Sequence, residues 1–309
     1  MDTTPPIAFI IFNRPDCTRL SFERIREAKP QKLYLIADGP RESKPDEVAL
    51  CNETRSLVEE MINWDCHVLK NYSDENLGCR RRVISGLNWV FNYEDSAIIM
   101  EDDILADLSF FKFCSEMLER YKNHPQVMQI IGYNELNYHP SSGESYFFSR
   151  FTHCWGWATW KQSWEQYQEK RVNLEEDVKN LKHYFPEKIV TSWVEKIIRV
   201  EEGKCDSWGT HLGFGIRAAG GLCIIPSKNL LRNIGFGAGA AHTVNPFTLK
   251  RFKRICSFNF DQRVQNKVRA DEKHDTKALK KLERSSLITR VKDKLFFFLF
   301  RPDLSSRKS

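Results

Sequence analysis

Over the first 135 residues short apolar runs alternate with amphipathic stretches. Ile7 to Phe12 is an apolar run rich in β-formers, followed by a polar helical pattern from about Asp16 to Ala28. Lys32 to Ala37 predicts the next strand, ended by Asp38-Gly39-Pro40. Residues 45–61 read as an amphipathic helix with Val48, Leu57, Val58 and Met61 as inner positions. His67 to Leu69 predicts a third strand, residues 80–92 a helix, and Ala97 to Met100 a fourth strand. Leu108 to Tyr121 then predicts a helix and Val127 to Ile131 a fifth strand. Such alternation predicts βαβ units and a mostly parallel, buried sheet flanked by helices. Ligands of an α/β sheet of this kind bind at the carboxyl ends of its strands.

The pattern changes after residue 135. Residues 146–167 are dense in aromatics, including Trp155, Trp157, Trp160 and Trp164. Residues 173–203 predict two charged helices separated near Pro186, and Gly221 to Pro226 a strand. Asn233 to His242 is a Gly/Ala-rich loop, and residues 249–300 form a basic stretch predicted to be helical. No internal repeat is present.

The strongest chemical signal is Glu101-Asp102-Asp103, which follows directly on the apolar run Ala97 to Met100. A buried strand carries these acids to its carboxyl end. Adjacent carboxylates repel one another unless cations compensate. A hard divalent ion with oxygen ligands would do so, and would bridge phosphate oxygens as a Lewis acid. The competing reading is a solvated acidic loop, or an acid capping the helix near Leu108. Arg14, just after the first strand, has a forked donor set suited to a diphosphate, and its alternative is a surface residue before a turn. Asp38, after the second strand, is either a ligand contact or an ordinary Asp-Gly turn. In Asn76 to Arg82, Gly78 permits close backbone approach, and Arg80 and Arg81 supply positive charge near a helix start. The chain has no GxxxxGK[ST] loop and no GxGxxG after the first strand, which argues against P-loop and dinucleotide-binding folds.

At these residues the chain resembles the nucleotide-sugar transferases of the GT-A fold, which carry a DxD or EDD motif in this place. The run IIMEDDILADLSFFKF is similar to the EDD region of the eukaryotic N-acetylglucosaminyltransferase of N-glycan synthesis. The chain is also similar to bacterial family 2-like glycosyltransferases of surface polysaccharide synthesis. The resemblance spans about residues 6–245 and is most specific around 96–113. It implies a GT-A (Rossmann-like) catalytic domain over 1–245, with a nucleotide-sugar half at 1–135 and an acceptor half at 136–245. A C-terminal basic helical tail at 246–309 would follow. It further implies Asp103 as the main metal ligand, Glu101 and Asp102 against the donor's ribose and sugar, and Asp38 against a base, typically uracil. The first turn, with Arg14, would meet the nucleotide. The expected reaction moves a sugar from a nucleotide diphosphate donor, UDP-linked by resemblance, to a glycan or lipid-linked acceptor. It would invert the anomeric carbon and use Mn²⁺ or Mg²⁺.

The acceptor half offers three further motifs. Trp155 and Trp157, in a WGWATW segment that similar bacterial transferases share, have flat faces suited to sugar C–H groups, or else form a core aromatic cluster. Inverting transfer needs a general base. Asp206 is the leading candidate and His211 the weaker one. Related sequences place a carboxylate directly after the Trp, where this chain has Gly209, so Asp206 either serves instead or caps the next helix. His242, in the Gly-rich loop that could close over a diphosphate, is a candidate metal ligand or phosphate donor, or a structural histidine.

Composition adds three points. A 309-residue chain with 41% apolar residues can bury a large core. Nine scattered cysteines with no CxxC spacing read as reduced thiols and disfavour a zinc site. The net charge of +6 is uneven: residues 250–309 hold 18 Lys and Arg against 7 Asp and Glu, and the rest hold 29 against 34. A basic, phenylalanine-rich stretch at 287–301 either lies peripherally on an anionic membrane or docks on the protein's own core or on a second subunit of a homodimer. Its clustered aromatics argue against nucleic acid as a partner. With neither a signal h-region nor a membrane span in the pattern, a cytoplasmic location is expected. Two other functions fit less well. A nucleotidyltransferase would carry a Gly-rich loop after the first strand. A non-catalytic carbohydrate-binding protein with a degenerate site would tolerate Gly209.

Overall fold

The structure is a computed structural model, described here for residues 4–141, 143–169, 174–235, 255–258 and 267–284. The front of the chain runs β1 (Ile7–Ile11), α1 (Pro15–Ala28), β2 (Lys32–Ala37), α2 (Glu47–Met61), β3 (His67–Tyr72), α3 (Cys79–Phe91) and β4 (Ser96–Glu101). It continues with β5 (Ile104–Ala106), α4 (Leu108–Tyr121), β6 (Val127–Ile131), β7 (Tyr146–Ser149) and β8 (Trp157–Trp160). The last described elements with both ends defined are α5 (Lys161–Glu169), α6 (Leu174–Lys182), α7 (Glu187–Glu201), α8 (Trp208–Ala218), β9 (Leu222–Pro226) and β10 (Leu231–Asn233).

Eight strands form one sheet in the order β3-β2-β1-β4-β8-β6-β9-β7. β8 is antiparallel to β4 and β6, and β7 to β9, so the other six strands run parallel. The protein is therefore a mixed α/β fold with a mostly parallel sheet flanked by helices. β1 and β4 are apolar and buried on both faces, as central parallel strands must be. Ile7, Phe9 and Ile11 face one core with α1 and α4, while Ala8 and Ile10 face a second with α3 and α8. A third cluster joins α6, α7 and α8 through Leu181, Phe185, Trp193 and Phe214.

The chain steps outward from β1 to β2 and β3, then returns to place β4 on the other side of β1. This is a topological switch point, where loops leave the sheet in opposite directions and open a crevice at the carboxyl ends. Pro15 at the first position of α1 suits the turn out of β1, because its missing N–H would be unpaired there in any case.

The differences from the sequence reading have physical causes. Val48 is 49% exposed and not an inner position of α2. The buried stripe is Glu47, Cys51, Thr54 and Val58, so Val48 lies about one 100° step off it. β3 extends to Tyr72 through Lys70 and Asn71, which the edge of a sheet tolerates. β5 and β10, three residues each, form a small antiparallel sheet too short to leave a periodic signal. The aromatic stretch contains two strands, β7 and β8, that no alternation announced.

Described parts of 246–309 pack on the main body. The Cys256 N–H donates to the Asn229 carbonyl at 2.9 Å, and Ala270 bridges Phe148 on β7. Residues 272–284 are helical. There the Asp275 carboxylate accepts from Ser149 Oγ at 2.6 Å and from the Arg150 N–H at 3.1 Å. Residues 287–301 lie outside the described residues. No helix among the described residues is long and apolar enough to cross a membrane.

Candidate functional site

The acids at the end of β4 and the turn after β1 meet at the switch point. The Asp102 N–H donates to the Ile10 carbonyl at 3.0 Å, continuing the β1–β4 ladder past the last strand residue. That bond turns the Asp102 side chain inward, where it is 3% exposed. The Arg14 guanidinium binds Asp102 Oδ1 and lies 3.1 Å from Asp103 Oδ2. Asp102 Oδ2 is buried and has no hydrogen-bond partner among the described residues.

One guanidinium does not balance three acids. Burial pushes the Glu101 carboxyl up to about 8, and Asp103 and Asp102 add to the shift. Burial also raises Asp102, to about 6, against the opposing pull of Arg14. None of the three acids caps the helix near Leu108. Asp107 does so, accepting the Ser109 N–H at 2.9 Å.

Among the described residues no three His, Cys, Asp or Glu side chains converge as a ligand set. The cluster still suits a hard cation. It carries surplus negative charge, and an Asp102 oxygen is buried without a partner. Ions such as Mg²⁺ commonly take one or two carboxylates and complete their shell with phosphate oxygens and water. Asp102 and Asp103 are the residues that would hold one.

A third strand, from later in the chain, covers this cluster. β10 pairs with β5, and the Ile234 N–H donates to the Asp103 carbonyl at 2.8 Å. Asn233 Oδ1 accepts the Gly235 N–H at 2.8 Å. A Cβ on Gly235 would land on Asp103 Oδ2 and within 2.7 Å of Arg14 Nη1. The Gly-rich stretch thus starts directly over the acids. His242 lies outside the described residues.

Asp38 turns into a loop. Its carboxylate accepts N–H groups from Gly39 (3.0 Å), Leu77 (2.9 Å) and Gly78 (3.1 Å), and the Asn76 side-chain amide at 3.1 Å. Burial raises its pKa, and those three backbone donors lower it in part. In this geometry both oxygens hold the loop, so the carboxylate is not turned outward toward a base.

Asp206 lies at the start of α3 and does not cap α8. It accepts the Cys79 N–H on Oδ2 at 2.7 Å and the Arg80 N–H on Oδ1 at 2.9 Å. The Arg80 side chain pairs with Glu201 at 3.0 Å, and Arg81 is exposed. His211 is buried, with Nε2 2.5 Å from Glu201 Oε1. Burial lowers its pKa, helped by Arg80, against the upward pull of Glu201.

Trp157 is 1% exposed and stacks on Trp208 at 5.7 Å, so it is a core residue with no face for a sugar. Trp155 is half-buried beside Tyr133 and His153, at ring distances of 4.9 and 4.6 Å.

Three further site features were brought out by the structure. Cys79 and Cys154 both lie within electrostatic reach of Glu101, and their thiols are pushed up first by burial and then by that carboxyl. They are 75 positions apart, a spacing that suggests nothing. Gly209, where related sequences carry an acid, lies against Cys154, and a Cβ there would be 3.3 Å from its Sγ. Arg82 is the buried member of the arginine triplet and donates to Asn71 Oδ1 at 2.7 Å. It shares the inward face of α3 with Val83, Gly86 and Leu87, a spacing that could have marked it.

These features define an α/β protein with a carboxylate cluster at its topological switch point. No family model matches the chain, and no curated protein matches it. Among solved structures it is similar to a UDP-glucose pyrophosphorylase complexed with UDP-glucose, at 8% identity and TM-score 0.40, over 72% of this chain and 90% of that one. It is also similar to the galactosyltransferase LgtC in complex with donor and acceptor sugar analogues, at 8% identity and TM-score 0.38, over 71% and 72%. A third is a 4-diphosphocytidyl-2C-methyl-D-erythritol synthase from Anaerococcus prevotii, at 11% identity and TM-score 0.32, over 55% and 78%.

Proposed function

We propose that the protein is a glycosyltransferase that takes a sugar from a nucleotide diphosphate donor, UDP-linked, and passes it to a glycan or lipid-linked acceptor. The observation that carries this reading is the meeting of Arg14, Glu101, Asp102 and Asp103 at the β1–β4 switch point. A crevice there receives ligands from the strand ends. The acids are short of positive charge, which suits a cation shared with a diphosphate. Arg14, one quarter exposed, is placed to turn its free donors to a phosphate.

In the transfer, an acceptor hydroxyl oxygen bonds to the anomeric carbon. The bond from that carbon to the diphosphate oxygen breaks, and the nucleoside diphosphate leaves with the electron pair. The acceptor proton passes to a base. A divalent ion, Mn²⁺ or Mg²⁺, held by Asp102 and Asp103, would supply Lewis-acid charge to the leaving diphosphate. Arg14 contributes a fixed positive charge beside that position. Glu101, neutral near pH 7, can donate a hydrogen bond to a sugar or ribose oxygen.

A panel of nucleotide sugars with Mn²⁺ tests the reading. Release of nucleoside diphosphate, lost in Asp103→Ala, is the expected result. Release of pyrophosphate from a nucleoside triphosphate and a sugar phosphate would point to a nucleotidyltransferase instead. No turnover and no nucleotide binding across the panel would overturn the proposal.

A further inference from the structure

Four successive backbone N–H groups, from Leu77 to Arg80, all point at carboxylates. Asp38, from the end of β2, takes those of Leu77 and Gly78. Asp206, from the connection between α7 and α8, takes those of Cys79 and Arg80. The segment is therefore held from two sides by residues 168 positions apart. It also forms the first turn of α3, whose unpaired N–H groups carry partial positive charge and favour an anion. Gly78 makes the contact feasible. It has φ +79°, and a Cβ there would be 2.9 Å from Asp206 Oδ2. Glu201 adds a parallel tie, accepting from the Arg80 guanidinium and contacting His211.

The held segment borders the carboxylate cluster. Asp38 ends β2, and the Cys79 thiol is raised in part by Glu101 at the end of β4. Arg80 and Arg81 begin in the same turn. Any displacement of Leu77 to Arg80 moves two cations and the thiol beside Glu101 together.

We infer that Asp206 is a positioning residue that fixes the Leu77–Arg80 turn for binding the anionic donor, and is not the proton acceptor of the transfer. The inference rests on the glycosyltransferase reading for its kinetic arm only. Both Asp206 oxygens accept backbone N–H groups at the start of α3, the arrangement of a side chain that holds a turn.

Three measurements on the full chain test this. In Asp206→Ala, the Cys79 and Arg80 amides should exchange their hydrogens at least tenfold faster than in wild type, with no change in the strands of the sheet. Donor KM should rise about tenfold with kcat within about threefold, and the acid limb of the pH–rate profile should remain. Asp206→Asn keeps one good acceptor oxygen and should recover most of the donor affinity. Gly78→Ala should reproduce the donor KM defect by pushing Asp206 away. The inference is overturned if amide exchange at residues 79 and 80 is unchanged. It is equally overturned if Asp206→Asn loses kcat a thousandfold and its acid limb while donor affinity is kept. The exchange measurement needs no substrate. A failed donor panel would therefore defeat the function proposal while leaving the Asp206 contact independently tested.

Discussion

Arg14 and Asp102, 88 positions apart in sequence, are joined by an ion pair across the seam where β1 and β4 part. Asp102 is 3% exposed, so its charge is tolerated only because of this partner and the Phe12 N–H that the carboxylate also accepts. Arg14→Met leaves the carboxylate buried and uncompensated. We expect a loss of about 3 kcal/mol, read as a lower urea midpoint at unchanged m. Arg14→Lys should lose less, since a single ammonium keeps the charge but not the fork that reaches both acids. The double variant Arg14→Met with Asp102→Asn should be less damaged than the two losses added together, because the second change removes the stranded charge. Mn²⁺ should raise the thermal midpoint of Arg14→Met more than that of wild type, since the cation would then face no guanidinium at the same acids.

The stability contributed by Glu101 and Asp102 should fall as pH rises from about 4 to about 8, while buried His153, lowered to about 4, contributes the opposite slope below about 6.5. Glu101 and Asp102 hold their protons more tightly in the folded chain, with pKa values near 8 and near 6 against unfolded values of 4.5 and 3.8. Between those values the folded state binds more protons than the unfolded state, so the slope of unfolding free energy with pH is negative. The stabilisation is complete below the unfolded values and is lost as pH passes the folded ones. Glu101→Gln removes the larger contribution. At pH 8.5 this variant should be more stable than wild type by up to about 4–5 kcal/mol, and near pH 4 the two should coincide. Thermal midpoints of both proteins across a pH series check this, and a wild type that gains on Glu101→Gln from pH 5 to 8 would contradict the burial of Glu101.

The front of the chain was legible because its signals are local. Strand β4 is four apolar residues followed by acids, and β1, β2 and β6 are equally plain runs, so the alternation fixes both the parallel sheet and which residues reach its carboxyl edge. What local pattern cannot state is which partner each polar side chain meets. In sequence Asp38 reads as a ligand contact and Asp206 as a general base, yet both bind one backbone turn far from them along the chain. Trp155 and Trp157 are two residues apart in the same motif. Strand alternation would place them on one face, but Trp155 precedes β8 and the turn at Gly156, with φ +50°, breaks that equivalence. The three-residue strands β5 and β10 owe their existence to one another and so leave nothing periodic to read.

That difference between neighbouring tryptophans is measurable. Trp157→Ala removes a large side chain from the core against Trp208 and Trp164 and should cost about 4 kcal/mol. Trp155→Ala removes a half-buried ring beside Tyr133 and His153 and should cost about 1 kcal/mol. If Trp155 is the residue that meets an acceptor sugar, its loss raises acceptor KM and leaves donor KM unchanged. Urea midpoints with a two-substrate kinetic comparison separate these outcomes, and equal stability losses would contradict the burial difference.

Gly235 provides the most specific steric test of the site. It follows β10 directly and sits over Asp103 and Arg14 with no room for a side chain, since an added Cβ would meet the Asp103 carboxylate and lie 2.7 Å from Arg14 Nη1. The backbone leading into Gly235 is fixed by the Ile234 N–H to Asp103 and by the Gly235 N–H to Asn233 Oδ1, so the strain falls on the Asp103 and Arg14 side chains. Gly235→Ala should therefore push Asp103 away from Arg14 while the sheet stays intact. We expect a stability cost of about 1–2 kcal/mol, in the range of overpacking a filled space. Nucleotide-sugar affinity with Mn²⁺, measured by calorimetry, should fall at least tenfold. Asp103→Ala in the Gly235→Ala background frees the space, so it should recover stability without recovering affinity. An alanine at 235 that leaves both stability and nucleotide binding at wild-type levels would show that the acid pair does not form the floor of the donor site.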